Sequence, residues 1–398
     1  MTHVRTALVI GGGVAGPVMA LALRKAGIDA EVYEAYPSAA DTIGGMLTVA
    51  PNGLEALALV GADEAVRRAG QPMSSMIMAD GRGRQIGEFP GLDGLPPSRA
   101  LWRFDLCRLM RECAVAAGVQ IHSGKRLVDA EESADAVTAH FADGSFATAD
   151  VLIGTDGIRS RVRTLIDPNA PGPRQIPLLN FGAMSSISVP ARPDAMYFVF
   201  GKKGFLGYWN QPDGRTGWFS NLPDDTPMTI AQAREQSAEV WLGRLRAVYA
   251  DDVPGRELLA HTEPEDLLSF GSMEIMPKVP RWHSRRMVLV GDSAHAPSSS
   301  SGQGASLAIE SAIQLAQCLR DVPDAPSAFA RYEALRRPRV EKVAARAAKT
   351  NSGKALGPIA TTMMSLLMPL ALKTVMKPEK TLGAEQRFRI DWDETINA

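Results

Sequence analysis

Apolar positions along the chain fall into two kinds of pattern. Thr6 to Ile10 is a short, β-branched apolar run, the signature of a strand buried on both faces of a parallel sheet. Glycines follow it. Val18 to Ala26, rich in Ala, Leu and Met, then predicts a helix stopped by Gly27, with Pro17 in its first turn, where a missing N–H costs little. A second strand is expected over Ala30 to Tyr33, closed by Glu34. Two later segments repeat the strand-then-glycine pattern. Val151 to Gly154 runs into Thr155-Asp156-Gly157 and a helix with Ile158, Val162 and Leu165 on one face. Met287 to Val290 runs into Gly291-Asp292, a serine-rich loop and a helix from about Gln303 to Arg320. Ligand sites of a doubly wound sheet collect at such carboxyl ends of strands.

The second pattern covers residues 175–222. Apolar strands alternate there with the turn sequences Gly201-Lys-Lys-Gly204 and Pro212-Asp-Gly-Arg215, and no helical period intervenes. An antiparallel sheet is expected, holding Phe198, Phe200, Phe205, Tyr208, Trp209, Trp218 and Phe219. The expected fold class is α/β. A discontinuous, Rossmann-like nucleotide domain (1–72, 98–172 and 273–325) receives an inserted, mostly antiparallel β domain (73–97 and 173–272). C-terminal helices follow (326–398). One of them, Ser327 to Lys349, carries Arg331, Arg336, Arg337, Arg339, Lys342, Arg346 and Lys349, read as a solvated face. The Met-rich stretch Ile359 to Leu372 is too short to span a bilayer and contains Pro369, so it reads as a packing surface.

Charge and composition exclude several classes. Lys+Arg 43 against Asp+Glu 44 leaves no electrostatic case for nucleic acid as a partner. A chain that is 45% hydrophobic and 22% charged is not disordered. Cys107, Cys113 and Cys318 do not make a disulfide framework, and the N-terminal apolar run is not a signal peptide. A cytoplasmic protein without a membrane span, monomeric or homodimeric, is expected. The six histidines lack metal-ligand spacing, and no G-x-S-x-G nucleophile occurs.

The chemistry is carried by Gly11-x-Gly13-x-x-Gly16, with Val14 and Ala15 inside the turn and Glu34 at the end of the second strand. Between a strand and a helix this is a dinucleotide fingerprint. Gly11 permits the tight turn, Gly13 lets a pyrophosphate reach the backbone, and Gly16 lets helix pack on strand. The helix N-terminus stabilises the phosphate charge, and Glu34 accepts from ribose hydroxyls. One such fingerprint occurs, so a second redox partner would bind without a Rossmann unit of its own.

Three motifs in order carry a family resemblance: the fingerprint with Glu34, then Gly154-Thr-Asp156-Gly157-Ile-Arg159-Ser160-x-Val-Arg163, then Gly291-Asp292-Ser-Ala-His295 with Gly302-Gln303-Gly304. They resemble the signatures of the class A, single-component FAD-dependent aromatic hydroxylases with the p-hydroxybenzoate hydroxylase fold. Pro51-Asn52-Gly53-Leu54 and Arg103-x-x-Leu106 place the chain nearest the salicylate hydroxylase and tetracycline-inactivating branch. The resemblance implies FAD, NAD(P)H as transient electron donor, and O2. A flavin C4a-hydroperoxide would hydroxylate or epoxidise an aromatic, polycyclic or otherwise electron-rich small molecule. It implies that Arg103 contacts FAD, that Asp156 and Gly157 lie near the pyrophosphate, and that Asp292 bonds the ribitol. The Gly302-Gln303-Gly304 turn would face the flavin pyrimidine edge. Arg159 reads either as a phosphate contact or as a surface salt bridge, and His295 as packing. Candidate substrate liners are Tyr208, Trp209, Trp218, Phe219 and Asn221 on the aromatic strands; no side chain is assigned to the chemical step. The family's loop proline falls at Ser299 here, with Pro297 nearby, and the four serines 298–301 read as a flexible loop. Two alternatives stay open: an FAD oxidoreductase that inserts no oxygen, and a flavin-binding protein without turnover.

Overall fold

The computed structural model describes residues 3–37, 45–354 and 378–397. Its organising element is a five-stranded parallel sheet in the order Met287–Leu289, Val151–Gly154, Thr6–Ile10, Asp29–Glu34, Gln120–Ser123. Ala7 to Ile10 are buried, as a central strand covered on both faces requires. Ile10 is level with Gly154, and Gly154 with Leu289, so the three Gly/Asp turns read from sequence emerge side by side. Helices Ala15–Lys25 and Gly304–Asp321 pack together beside these strand ends. The helix after Gly154 is shorter than its apolar pattern suggests. It runs Arg161–Ile166 and starts at Ser160, whose hydroxyl accepts from the Arg163 N–H, leaving Ile158 in the turn before it.

The second sheet has seven strands, in the order Leu268–Ile275, Arg174–Ser185, Thr216–Pro223, Phe205–Asn210, Ala195–Phe200, Ser75–Asp80, Gln85–Pro90. Every adjacent pair is antiparallel except Ala195–Phe200 with Ser75–Asp80. One face packs Leu179, Phe181, Leu206 and Leu222 against helices Ala238–Val248 and Gly255–Ala260, through Trp241, Leu245, Tyr249 and Leu258. Side chains alternate along a strand. The other face is therefore made by Asn180, Gly182 and Met184, by Phe205, Gly207 and Trp209, and by Gly217, Phe219 and Asn221.

The basic helix runs Ala325–Lys354, and its reading as a solvated face is corrected at Arg336. That side chain is fully buried and pairs with Glu310 of the preceding helix. Arg339 and Arg346 also turn inward, to Glu310 and Glu385. The Met-rich stretch 359–372 lies outside the described residues. Among the described residues no helix is long and apolar enough to cross a membrane.

Candidate active site

The fingerprint glycines divide their work as the spacing demands. Gly11 has φ +107°, and a Cβ there would stand 2.5 Å from the Thr155 carbonyl oxygen. A Cβ on Gly16 would collide with the carbonyl oxygen of Gly11, so this glycine sets the helix–strand approach. At Gly13 a Cβ would meet nothing within 4 Å, and the same holds at Gly157 and Gly304. Bare backbone thus meets open space at all three turns, a recess side that suits a pyrophosphate and an isoalloxazine edge. Val14 occupies the cap position and Ala15 the first turn of the helix that points into the recess.

Glu34 accepts from the Gly12 N–H at 2.5 Å and from the Tyr36 N–H at 2.9 Å. Its carboxylate therefore braces the fingerprint turn. Arg111 is a neighbour that the motifs did not reveal. Its guanidinium reaches the Ser123 hydroxyl and lies beside Gly12, eight residues along the same helix from Arg103. That spacing puts both arginines on the recess side, a signal available in the sequence.

Asp292 sits in a short 3-10 turn directly after strand Met287–Leu289. Burial raises its pKa, opposed by the Arg103 guanidinium. Among the described residues its carboxylate takes no hydrogen bond, so a desolvated acceptor is left facing the recess. Hydroxyls of a ribitol chain fit that acceptor. Asp156 differs: its carboxylate accepts from the Ser160 hydroxyl at 2.5 Å and from the N–H groups of Arg161 and Val162 at 2.7 and 3.1 Å. It is committed to starting the next helix, and only its backbone borders Gly11. Arg159 pairs with Glu274 at 2.6 Å on the surface, the salt-bridge reading of the two.

Behind the Gly302-Gln303-Gly304 turn lies a buried polar network that sequence reasoning missed. Gly302 has φ +61° and leads into Gln303, the cap residue of the long helix. The Asn52 amide donates to Gln303 Oε1 at 3.0 Å and to Glu310 Oε1 at 2.6 Å. Glu310 also receives Arg336 at 2.7 Å and Arg339 at 2.8 Å. Burial opposes its charge, but the arginines outweigh burial and hold its pKa below normal. His295 Nε2 is 3.0 Å from the Ser311 hydroxyl. Burial, aided by Arg336, pushes the His295 pKa down to about 3, so the ring is a neutral packing element and not a base.

The serine loop is tied down, contrary to its flexible reading. Ser299–Ser301 forms a 3-10 turn, Ser298 Oγ lies 3.2 Å from Asn351 Oδ1, and the Ser301 carbonyl accepts from Arg346 at 3.0 Å. The Ser299 hydroxyl reaches Met273 Sδ at 3.7 Å, which brings the loop against the seven-stranded sheet.

The five substrate-liner candidates split by strand parity. Tyr208 and Trp218 are corrected: both point to the helix-covered face, where they belong to the apolar core, and Trp218 Nε1 donates to Thr262 Oγ1 at 3.0 Å. Trp209, Phe219 and Asn221 lie on the opposite face. Trp209 packs under Met46, Met73 and Trp102. Phe219 stays partly exposed, and Asn221 donates to Asn180 Oδ1 at 2.5 Å. This face looks toward the recess. Phe270 stands 3.4 Å from where a Gly45 Cβ would be, and the Gly45 carbonyl accepts from the Arg103 N–H at 3.1 Å.

A family model described as an FAD binding domain matches residues 4–347. The FAD-dependent urate hydroxylase of Klebsiella pneumoniae is 31% identical over 353 residues, covering 86% of this chain and 88% of its own. The 3-amino-4-hydroxybenzoate 2-monooxygenase of Streptomyces cremeus is 30% identical, covering 85% of each. The crystal structure of Klebsiella pneumoniae HpxO complexed with FAD and uric acid matches with a TM-score of 0.83 at 25% identity, over 96% of this chain and 97% of that one. With bare glycine backbone at the turns and an Asp292 carboxylate that takes no hydrogen bond among the described residues, the chain belongs to the FAD-binding domain family and is a class A flavoprotein monooxygenase.

Proposed function

We propose that the chain takes electrons from NAD(P)H and uses O2 to hydroxylate or epoxidise a small aromatic, polycyclic or otherwise electron-rich molecule. The substrate sits between bound FAD and the open face of the seven-stranded sheet. The observation that carries this reading is the meeting of two surfaces: the sheet strand Leu268–Ile275 touches the serine loop through Met273 and the Gly45 segment through Phe270. Bound FAD supplies the redox chemistry and the activation of oxygen. The chain's residues do the rest. Gly13 and Gly157 admit the pyrophosphate, Asp292 accepts from the ribitol, and Arg103 balances charge beside it. The N-terminus of helix Gly304–Asp321 offers a positive dipole end to the pyrimidine edge, favouring the reduced, anionic ring. The sheet's aromatic face orients substrate and excludes water. In this reading the parallel-sheet segments form the FAD domain and the seven-stranded sheet the substrate domain.

NAD(P)H oxidation with oxygen uptake, run with a panel of phenolic and polycyclic compounds under isotopically labelled O2, tests the proposal. One labelled oxygen atom in the product is the expected result. NAD(P)H oxidation that transforms an added compound without label in the product would instead establish an oxidoreductase that inserts no oxygen.

A further inference from the structure

The open face of the seven-stranded sheet has a shape set by its glycines. A Cβ on Gly207 would collide with the ring of Phe219, and one on Gly217 with the ring of Trp209. Each ring therefore lies flat on the bare backbone of the neighbouring strand, as aromatic side chains do over strand glycines. Gly182, level with Phe219 on the next strand, is different. A Cβ there would meet only ordinary contacts, 3.5 Å from the Trp218 carbonyl and 3.6 Å from Phe270. Gly182 is buried, but only the edge of the Phe270 ring approaches it, so no ring is stacked on its backbone as at Gly207 and Gly217.

Asn180 lies two residues along the strand from Gly182, on the same face and directly paired with Asn221. Its Oδ1 is taken by Asn221 Nδ2 at 2.5 Å. The Asn180 Nδ2 group, on a half-buried side chain, has no hydrogen-bond partner among the described residues. It is an uncharged donor in aromatic surroundings. From Asn180 to Met184 and across strands Thr216–Pro223, Phe205–Asn210 and Ala195–Phe200 this face carries Asn, Gly, Met, Phe and Trp and no charged side chain. The strand on the other side, Leu268–Ile275, has one charged residue, Glu274, which is paired with Arg159. A carboxylate placed there would lose its water without gaining a cation from the sheet.

We infer that this face selects a planar, uncharged ring whose carbonyl oxygen accepts from Asn180 Nδ2 while the ring lies over Gly182 against Phe219. The inference rests on the placement of substrate proposed above and narrows its chemistry to neutral carbonyl-bearing aromatics.

The test uses three probes titrated into the FAD-loaded protein, with perturbation of the flavin absorption as the readout. They are 2-quinolone (neutral, with a carbonyl), quinoline-2-carboxylate (anionic) and naphthalene (no acceptor). The expected order places 2-quinolone tightest. Asn180→Ala and the milder Asn180→Ser should each weaken 2-quinolone about tenfold, the worth of one hydrogen bond to a group otherwise left unpaired, and leave naphthalene unchanged. Gly182→Ala, which the contacts accommodate, should weaken both neutral probes and leave FAD in place. Tighter binding of the carboxylate, no binding of any probe with FAD present, or 2-quinolone affinity indifferent to both Asn180 variants would overturn the inference. NAD(P)H-driven reduction of the flavin, measured on the same samples, separates the two readings. Asn180-dependent binding without reduction leaves the recognition standing and removes the monooxygenase cycle; reduction without Asn180 dependence does the reverse.

Discussion

Glu310 and Arg336 form an ion pair of 2.7 Å with both side chains sealed from solvent. The pair joins the long helix Gly304–Asp321 to the helix that follows it. Through Asn52 it also reaches Gln303 at the turn proposed to face the flavin. Glu310 keeps Arg339 at 2.8 Å when Arg336 is lost, whereas the fully buried Arg336 has Glu310 as its one ion-pair partner among the described residues. Neutralising Glu310 therefore leaves an uncompensated charge in the core, a loss of about 3–5 kcal/mol. Glu310→Gln should lower the melting temperature strongly and weaken FAD binding, and Arg336→Met should lower it less. Thermal melts and FAD titrations of both variants check this; a variant pair indistinguishable from the parent would show that the network is decorative.

This pair marks where sequence reading stops. The strand-glycine turns at Gly11, Gly157 and Gly291 were legible because each needs a bare backbone within a recognisable local pattern. Arg336 was not, because its partner lies 26 residues away and no spacing rule links two separate helices. Strand parity failed for a related reason. In Phe205-Leu-Gly-Tyr-Trp-Asn210 apolar residues occupy both faces, since one packs on helices and the other faces the recess. Alternation alone could not tell that Tyr208 packs on the helix side and Trp209, equally buried, on the other. Register against Trp218 and Gly217 decides it. The serine loop looked loose because hydroxyls compete for local backbone. Its anchors, Asn351 and Arg346, come from a distant helix.

Asp292→Ala should release FAD. A desolvated carboxylate that bonds ribitol hydroxyls contributes a charge-assisted interaction of about 1.5–3 kcal/mol, so affinity should fall roughly tenfold to a hundredfold. Flavin fluorescence during titration of apoprotein measures it. Unchanged affinity would remove Asp292 from the cofactor site.

Trp218 and Phe219 are sequence neighbours on opposite faces, and their alanine variants should separate. Trp218→Ala opens a cavity in the helix-covered core and leaves Thr262 Oγ1 without its donor, a cost of about 3–5 kcal/mol. Phe219→Ala should keep most of the melting temperature and FAD affinity and lose substrate-stimulated NAD(P)H oxidation. The opposite assignment of effects would mean that the substrate lies on the helix side.

Asp252 gives the fold a pH dependence. It is buried, and its Oδ2 has no partner among the described residues. Burial and the nearby Asp251 and Asp80 push its pKa up to about 6, with Lys202 and Lys203 opposing. The unfolded group titrates near the ordinary 3.8. Between these values the folded chain holds a proton that the unfolded chain has lost. Stability from this group is thus complete below about pH 4 and falls as pH rises through about 6, by about 1–3 kcal/mol. The difference in unfolding free energy between parent and Asp252→Asn, followed from pH 4 to 8, should change by that amount in favour of the variant at high pH. A flat difference would show that the carboxyl is solvated.

Ser299→Pro should be accepted and should improve coupling. Ser299 is the first residue of a 3-10 turn, a position where the N–H has no partner within the turn and φ suits proline. Ser298 before it has φ −59° and ψ 153°, the extended conformation that a following proline requires. The ring would remove freedom from the unfolded chain and from the loop, at the expense of a weak contact between the Ser299 hydroxyl and Met273. If the loop lies beside the flavin as proposed, a stiffer loop admits less water, so less of the NAD(P)H consumed should end as hydrogen peroxide. Peroxide released per NAD(P)H oxidised, compared in parent and variant with a good and a poor substrate, gives the answer. The poor substrate should show the larger gain, because it leaves the site open longer. If the ratio does not move while FAD stays bound, the ties from Asn351 and Arg346 already hold the loop as firmly as a proline would.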